Sequence, residues 1–286
     1  MAARPATLWA AVAPVVVGSA LAAADGSWRP VPFVVVLVAA VAIQVGVNLA
    51  NDVADAARGV DTLERIGPPR AVAAGLLTPR QMWKGVAVAF GVAIVCGAYL
   101  IAEAGPVIAA LGVASILAAF GYASGPAPYG YRSLGEVSVF LFFGLVATVG
   151  TRFLFDRSAP ASAWIAGVAM GLMATAILVA NNFRDIETDA AAGKRTLAVR
   201  LGRPATASLY AVTIIGGILV APAAALVGGL PRGGLAALAA LPPAIPLVLT
   251  LRRSTGGAEL IAVLKRTARL QIVVAFLLAA GVLAGG

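Results

Sequence analysis

Long apolar runs, each closed by charge, glycine or proline, recur from one end of the chain to the other. Nine of them have the length a membrane-crossing helix needs, about 16–24 residues. They cover residues 6–24, 31–51, 83–102, 105–121, 134–152, 161–182, 205–228, 233–251 and 267–285. The third and fourth meet at Glu103-Ala104-Gly105-Pro106, which reads as a tight turn. Pro242, Pro243 and Pro246 make the eighth the least regular. The pattern predicts an all-α integral membrane protein: one domain over residues 1–286 with nine transmembrane helices. The first run, Thr7 to Ala24, passes directly into the second without a convincing cleavage site, so it is expected to remain a helix and not a signal peptide.

Composition agrees with lipid as the solvent. The chain is 61% hydrophobic and 12% charged, where a soluble domain carries about 25% charged residues. The one cysteine, Cys96, lies in an apolar run and excludes an internal disulfide. Histidine is absent, which removes the commonest general base and the commonest metal ligand. Any metal is therefore expected to be a hard cation held by oxygen. The net charge of +9 would suit nucleic acid, but its placement argues otherwise. With the N-terminus in the cytoplasm, all of the 21 basic residues except Arg29, Arg152, Arg157 and Arg232 fall in inside segments. That bias predicts an odd number of spans, N-in and C-out, with the positive charge facing an anionic leaflet and no nucleic-acid partner. Most of the 32 glycines are expected to serve close helix packing in the bilayer.

Two segments concentrate acid. Asp52, Asp55, Asp61 and Glu64 follow the second span, and Asp185, Glu187 and Asp189 follow the sixth; together they are more than half of the 12 carboxylates. On a continuing helix Asn48, Asp52 and Asp55 share one face, and so do Asn181, Asp185 and Asp189. Carboxylates at that spacing repel one another, and a helix C-terminus prefers cations. Two such patches on the same side of the membrane need a positive counterpart. Interleaved basic residues supply part of it: Arg58, Arg65 and Arg70 after the first patch, Lys194, Arg195 and Arg200 after the second. Mg²⁺ would supply the rest, taking one or two carboxylates and completing its shell with water and phosphate oxygens. Carboxylates, metal and cations together describe a diphosphate site, and the lack of a Walker loop argues against nucleotide hydrolysis.

These residues give the chain its likeness. It resembles the UbiA superfamily of intramembrane aromatic prenyltransferases, over most of its length. The resemblance rests on Arg4-Pro5-Ala6-Thr7-Leu8 with Pro14, Asn51-Asp52-x-x-Asp55 with Gly59-x-Asp61, and Arg65-Ile66-Gly67-Pro68-x-Arg70. It continues in Gly130-Tyr131-Arg132-x-Leu134-Gly135-Glu136, Phe140 to Gly144, Asn182-x-x-Asp185-x-x-x-Asp189, Gly193-Lys194-x-Thr196 and Thr267-Ala268-x-Leu270. The Gly-Tyr-Arg stretch, and first aspartates spaced Asp-x2-Asp where the superfamily has Asp-x3-Asp, are similar to the branch that prenylates 1,4-dihydroxy-2-naphthoate.

The resemblance implies nine helices around a central cavity, cytoplasmic cap loops, a cell-membrane location and an active site facing the cytoplasm. It implies a polyprenyl diphosphate donor, a dihydroxynaphthoate acceptor that loses CO₂, and Mg²⁺. Asp52, Asp55, Asp185 and Asp189 would hold the metal with Asn48 and Asn182 assisting, the second ligand of the first motif being Asp55 or Asp61. Arg70 and Lys194, then Arg58 and Arg65, would hold the diphosphate, with Arg132 beside them. Tyr122, Tyr131, Phe140 and Phe143 are candidates to shield an allylic cation. Glu136 would either orient a ring hydroxyl or pair with Arg132. Two other readings remain: a UbiA-type enzyme with another acceptor (4-hydroxybenzoate, homogentisate, haem or a lipid phosphate), and a secondary transporter. Acids gathered at the membrane edge and not mid-span weigh against transport.

Overall fold

A computed structural model of the chain describes residues 4–59, 70–123, 128–254 and 256–285. Among them there is no strand, as expected where lipid cannot satisfy open backbone groups. Nine apolar helices account for most of the described chain. They are α1 (Pro5–Ala24), α2 (Pro30–Ala57), α3 (Pro79–Ala104), α4 (Pro106–Ala123) and α5 (Gly135–Asp156). Then follow α6 (Ala161–Arg184), α7 (Leu197–Leu226), α8 (Arg232–Arg253) and α9 (Ala258–Gly285). Eight are long and apolar enough to cross a bilayer, and α4 is shorter. A 3₁₀ turn at Tyr129–Arg132 and a short helix at Ile186–Ala191 cap one end of the bundle.

Where helix ends differ from the predicted spans, charge is the reason. α2 continues past residue 51 to Ala57, and α9 begins at Ala258 instead of 267. Charge marks where the apolar stretch stops, not where the helix does, and the stems of Lys265, Arg266 and Arg269 can lie along the first turns of α9. α7 begins at Leu197, ahead of the predicted 205, and is broken at Gly202, whose φ of 71° suits glycine. In α8 the proline cluster is accommodated by a 3₁₀ start over Arg232–Ala240, with Pro242 and Pro243 at the first positions of the α-helical part. There their missing N–H groups are not needed.

The helices divide into a packed side and a hollow side. α6 is the most buried, and it forms the main core with α1, α7 and α9 through residues such as Met170, Met173, Tyr210, Ile214, Ile218 and Leu278. Close approach there depends on glycine. A Cβ on Gly144 would collide with Gly171 of α6, and one on Gly233 with Gly281 of α9. Gly144 lies in a π-helical stretch of α5, Phe140–Val146, where the wider turn shifts the side-chain register. α2, α3 and α4 carry only small apolar clusters of their own. Between them and the packed core lies a cavity.

At the end away from the acidic patches each acid is met closely by an arginine. Arg152 of α5, itself buried, binds Asp25 and Asp156 at 2.6 Å each. Arg29 binds Glu103 at 2.6 Å across the start of α2 and the end of α3. Arg157 donates to the Glu103 carbonyl at 3.1 Å. Gly105, with φ at 85°, makes the turn between α3 and α4 that the sequence predicted.

Candidate active site

The acidic patches meet at the mouth of the cavity. Because α2 stays helical through Ala57, Asn48, Asn51, Asp52 and Asp55 all come from one rigid element, and all four are buried. On the facing side α6 ends at Arg184, but the i to i−4 backbone bonds carry on: Asp185 N–H to Asn181 O at 3.2 Å, and Asp189 N–H to Asp185 O at 2.8 Å. Asn181, Asp185 and Asp189 thus follow one another along one chain direction into the mouth. Lys194 joins the two patches. Its Nζ lies 3.3 Å from Asp55 Oδ1 and 3.7 Å from Asp189 Oδ1.

Each carboxylate has its own surroundings. Asp55 also receives Arg70 Nη2 at 3.4 Å and the Tyr131 hydroxyl. Burial, and then the Asp55 charge, push the Tyr131 phenol well above its ordinary range, so it stays a donor to Asp55. Lys194 Nζ stands 4.5 Å from the centre of the Tyr131 ring and the Arg58 guanidinium 5.5 Å. Asp185 is gripped bidentately by Arg184 at 2.7 and 2.5 Å, and Arg184 also reaches Asn181 Oδ1 at 3.0 Å. Asp52 accepts the backbone N–H groups of Ala71 and Val72, one on each oxygen, both at 3.1 Å. That contact ties the segment carrying Arg70 to α2. Each Asp52 oxygen keeps a second lone pair.

The cavity behind this mouth measures about 500 Å³. Its polar end is lined by Asn48, Asn51, Asp55, Arg70, Asn181, Asn182, Asp185, Asp189, Lys194 and Thr196. Tyr122, Tyr129, Tyr131, Phe142 and Phe143 line it next, and deeper down it is walled by aliphatic side chains of α2, α3 and α4. It reaches Ile94, Ile101 and Val113, which are exposed on the outside of α3 and α4. Gly97 and Gly112 face it there, and a Cβ on either would meet no atom within 4 Å.

Most of the predicted residues therefore converge, and several take unexpected places. Arg58 and Arg132 stand outside the cavity, lining a shallower basin with Tyr131, Arg195 and Arg200. Glu136 does not pair with Arg132. It is buried and accepts a 2.9 Å bond from Asn182 Nδ2, and it is not among the residues that line the cavity. Phe140 packs on Gly171 and Phe142 takes its place in the wall, because the π-helical turn shifts the register. Asp61 and Arg65 lie outside the described residues. Arg4, Thr7, Asn51 and Asn181, which sequence reasoning named without giving them a site role, and Gln44, which it did not name, also line the cavity. Helical spacing from Asp55 and Asn48 would have reached Asn51 and Gln44; nothing in the sequence told that the start of α1 folds into the mouth.

The donors suit a hard cation. They are carboxylate and amide oxygens, and Asn51 Oδ1 is buried without a hydrogen-bond partner. Among the described residues no three acidic, cysteine or histidine side chains gather closely enough to hold an ion unaided. An ion there needs further oxygens from what it binds, as Mg²⁺ commonly does.

A bundle of membrane helices around a cavity, with acids, amides and cations at the mouth and apolar walls below, defines a polytopic membrane protein built for an amphiphile with an anionic head. The chain belongs to the UbiA prenyltransferase family, whose model matches residues 11–267. It is 40% identical to the 1,4-dihydroxy-2-naphthoate octaprenyltransferase of Mycobacterium tuberculosis, over 99% of this chain and 96% of that one. Its fold is similar to a UbiA homolog from Aeropyrum pernix, with TM-score 0.67 and 14% identity over 95% and 97% of the two chains. It is also similar to a UbiA homolog from Archaeoglobus fulgidus solved with DMAPP and Mg²⁺, with TM-score 0.64 and 15% identity over 97% of each chain.

Proposed function

We propose that this protein transfers a polyprenyl group from polyprenyl diphosphate to 1,4-dihydroxy-2-naphthoate, with loss of CO₂, in menaquinone biosynthesis. The observation that carries the reading is the meeting of both acidic patches at Lys194, over a cavity that changes from charged to aromatic to aliphatic with depth. The mycobacterial relative, similar over nearly the whole of both chains, is named a 1,4-dihydroxy-2-naphthoate octaprenyltransferase.

In this reading Asp52, Asp55, Asp185 and Asp189, with Asn48, Asn51 and Asn182, hold Mg²⁺, which supplies electrostatic stabilisation to the departing diphosphate. Arg70 and Lys194 bind diphosphate oxygens directly, and the start of α7 at Thr196 adds a helix N-terminus to the same place. Tyr131 holds Asp55 in position and Glu136 holds Asn182, fixing which amide atom remains for the ion. The C–O bond of the donor breaks with its electron pair leaving on diphosphate. Tyr122, Tyr131, Phe142 and Phe143 present ring faces or edges around the allylic cation and keep water from it. The electron-rich ring forms the new C–C bond at the carbon that bears the carboxylate. The carboxylate then leaves as CO₂, its bonding pair restoring aromaticity, so no histidine is needed as base. The tail lies toward α3 and α4, where Gly97 and Gly112 leave room. The protein sits in the cell membrane, N-in and C-out, with the mouth facing the cytoplasm.

The test is product mass from purified protein given dihydroxynaphthoate and a polyprenyl diphosphate. A prenylated naphthalenediol lacking the carboxylate is expected. EDTA should stop the reaction and Mg²⁺ restore it. Product from 4-hydroxybenzoate but none from dihydroxynaphthoate would refute the assignment.

A further inference from the structure

The diphosphate chemistry uses Asn48 but leaves the lower end of its polar ladder without a purpose. That ladder runs down α2 toward the middle of the bundle. Thr7 Oγ1 donates to the Arg4 carbonyl at 2.9 Å, and Asn48 Nδ2 donates to Thr7 Oγ1 at 3.0 Å. Gln44 Nε2 points to Asn48 Oδ1 at 3.5 Å. Each contact orients the amide below it. The ladder ends at Gln44 Oε1, which is buried and has no hydrogen-bond partner. Gln44 is only 6% exposed, and it lines the cavity. A buried acceptor left unpaired is disfavoured, so it calls for a donor brought in from outside the fold.

Depth and chemistry narrow down that donor. Along α2 Gln44 lies about 6 Å below Asn48 and about 16 Å below Asp55. The anionic head of the donor substrate belongs with Asp55, Arg70 and Lys194 at the mouth. Diphosphate oxygens accept hydrogen bonds, and a prenyl tail is hydrocarbon with nothing to donate. Of the reactants, only the aromatic acceptor carries O–H groups that Gln44 Oε1 can receive.

We infer that Gln44 is the residue that recognises a ring hydroxyl of the aromatic acceptor, with Thr7 and Asn48 holding its amide in place. The inference rests on the functional reading above and deepens it. A neutral amide accepts the hydroxyl without placing a charge in a low-dielectric wall. It also makes the site selective, because an aromatic lacking that hydroxyl leaves the buried oxygen unpaired.

Steady-state kinetics on the full chain in nanodiscs test this with Gln44→Met, which keeps the length and removes the acceptor atom. The KM for dihydroxynaphthoate should rise about 10- to 100-fold, while the KM for polyprenyl diphosphate and the Mg²⁺ requirement stay unchanged. Competitive inhibition by 1-hydroxy-2-naphthoate and 4-hydroxy-2-naphthoate supplies a readout that a structural role would not move. Wild type should bind one of these analogues more weakly than the other, and Gln44→Met should lose that preference. Gln44→Asn, which withdraws the amide by one methylene, carries the same expectation should Gln44→Met not accumulate in membranes. An acceptor KM that does not change, or that rises in step with the donor KM, overturns the assignment. A wild type that prenylates no dihydroxynaphthoate overturns the functional reading, and this inference with it.

Discussion

Both ends of the bundle carry buried or half-buried acid, but the two ends treat it differently. At the end that holds the α3–α4 turn, Asp25, Asp156 and Glu103 are each matched by an arginine at 2.6 Å. Those contacts join α1 to α5 and α2 to α3; Arg152 is shared by Asp25 and Asp156, and all three acids are met at short range by arginine. At the mouth, Asp55 is shared by Lys194, Arg70 and Tyr131, and Lys194 is shared in turn with Asp189. Beside them Asn51 Oδ1 has no partner, and neither has Gln44 Oε1 deeper in the cavity. Short contacts that leave no acid unmet staple helices. Longer contacts beside unmet acceptors are what a site looks like when part of its charge balance has to come from a ligand.

The largest expected effect comes from removing acid at one end and then at the other. Asp55→Ala or Asp185→Ala should lower kcat/KM for prenyl transfer about a thousandfold or more, because the diphosphate then leaves without its counter-charge. Asp25→Asn, which removes charge from an exposed carboxylate of the closed end, should leave prenyl transfer intact. Near-normal turnover in either mouth variant would remove the distinction between the ends. Initial rates in membranes matched for protein content decide it.

Removing the cation sharpens the same contrast. Lys194→Met should reduce kcat/KM about a hundredfold by losing charge at the diphosphate, with little change in thermal stability, since Asp55 keeps Arg70 and Tyr131. Arg152→Met should do the reverse. It strands Asp25 and Asp156, and because Asp25 is half exposed the loss should be about 1–3 kcal/mol. A melting scan in detergent alongside the activity assay separates the two outcomes. A drop in melting temperature for Lys194→Met as large as that for Arg152→Met would mean that the mouth is a staple as well.

How much of this could be read beforehand follows the same division. The all-helical bundle was legible because lipid enforces one helical solution on a long apolar run, although eight of the nine expected spans have the length to cross and α4 is shorter. The approach of Asp55 to Asp189 through Lys194 followed from two matched patches on the same side. The helix-end errors at α2, α7 and α9 arose where apolar character stops but hydrogen bonding continues. Phe140 was misplaced because a π-helical turn changes the face without leaving a mark in the sequence. Glu136 was offered Arg132 as an i, i+4 partner, yet it chose Asn182 on another helix. Such a choice depends on how α5 and α6 pack, and Gly144 against Gly171 sets that. Gln44 was missed for a different reason: a single glutamine in an apolar run carries no motif, and its helical spacing from Asn48 gains weight only once its oxygen is seen unpaired.

The smallest expected effect lies on the hollow side, where the cavity leaves the mouth for the face of α3 and α4. Gly97 and Gly112 border that stretch with open space at the Cβ position, so a large side chain there fills the passage without forcing the backbones apart. Gly97→Phe and Gly112→Phe should therefore leave Mg²⁺ dependence and acceptor KM unchanged. They should lower kcat/KM for a long polyprenyl diphosphate about tenfold relative to geranyl diphosphate, an amount set by the apolar surface the tail can no longer bury. Gly144→Val is the matching change on the packed side, and there a Cβ collides with Gly171. It should reduce the amount of folded protein and leave donor selectivity alone in whatever folds. If both kinds of glycine change stability and neither changes donor choice, the tail does not pass between α3 and α4, and the hollow side is loose packing only.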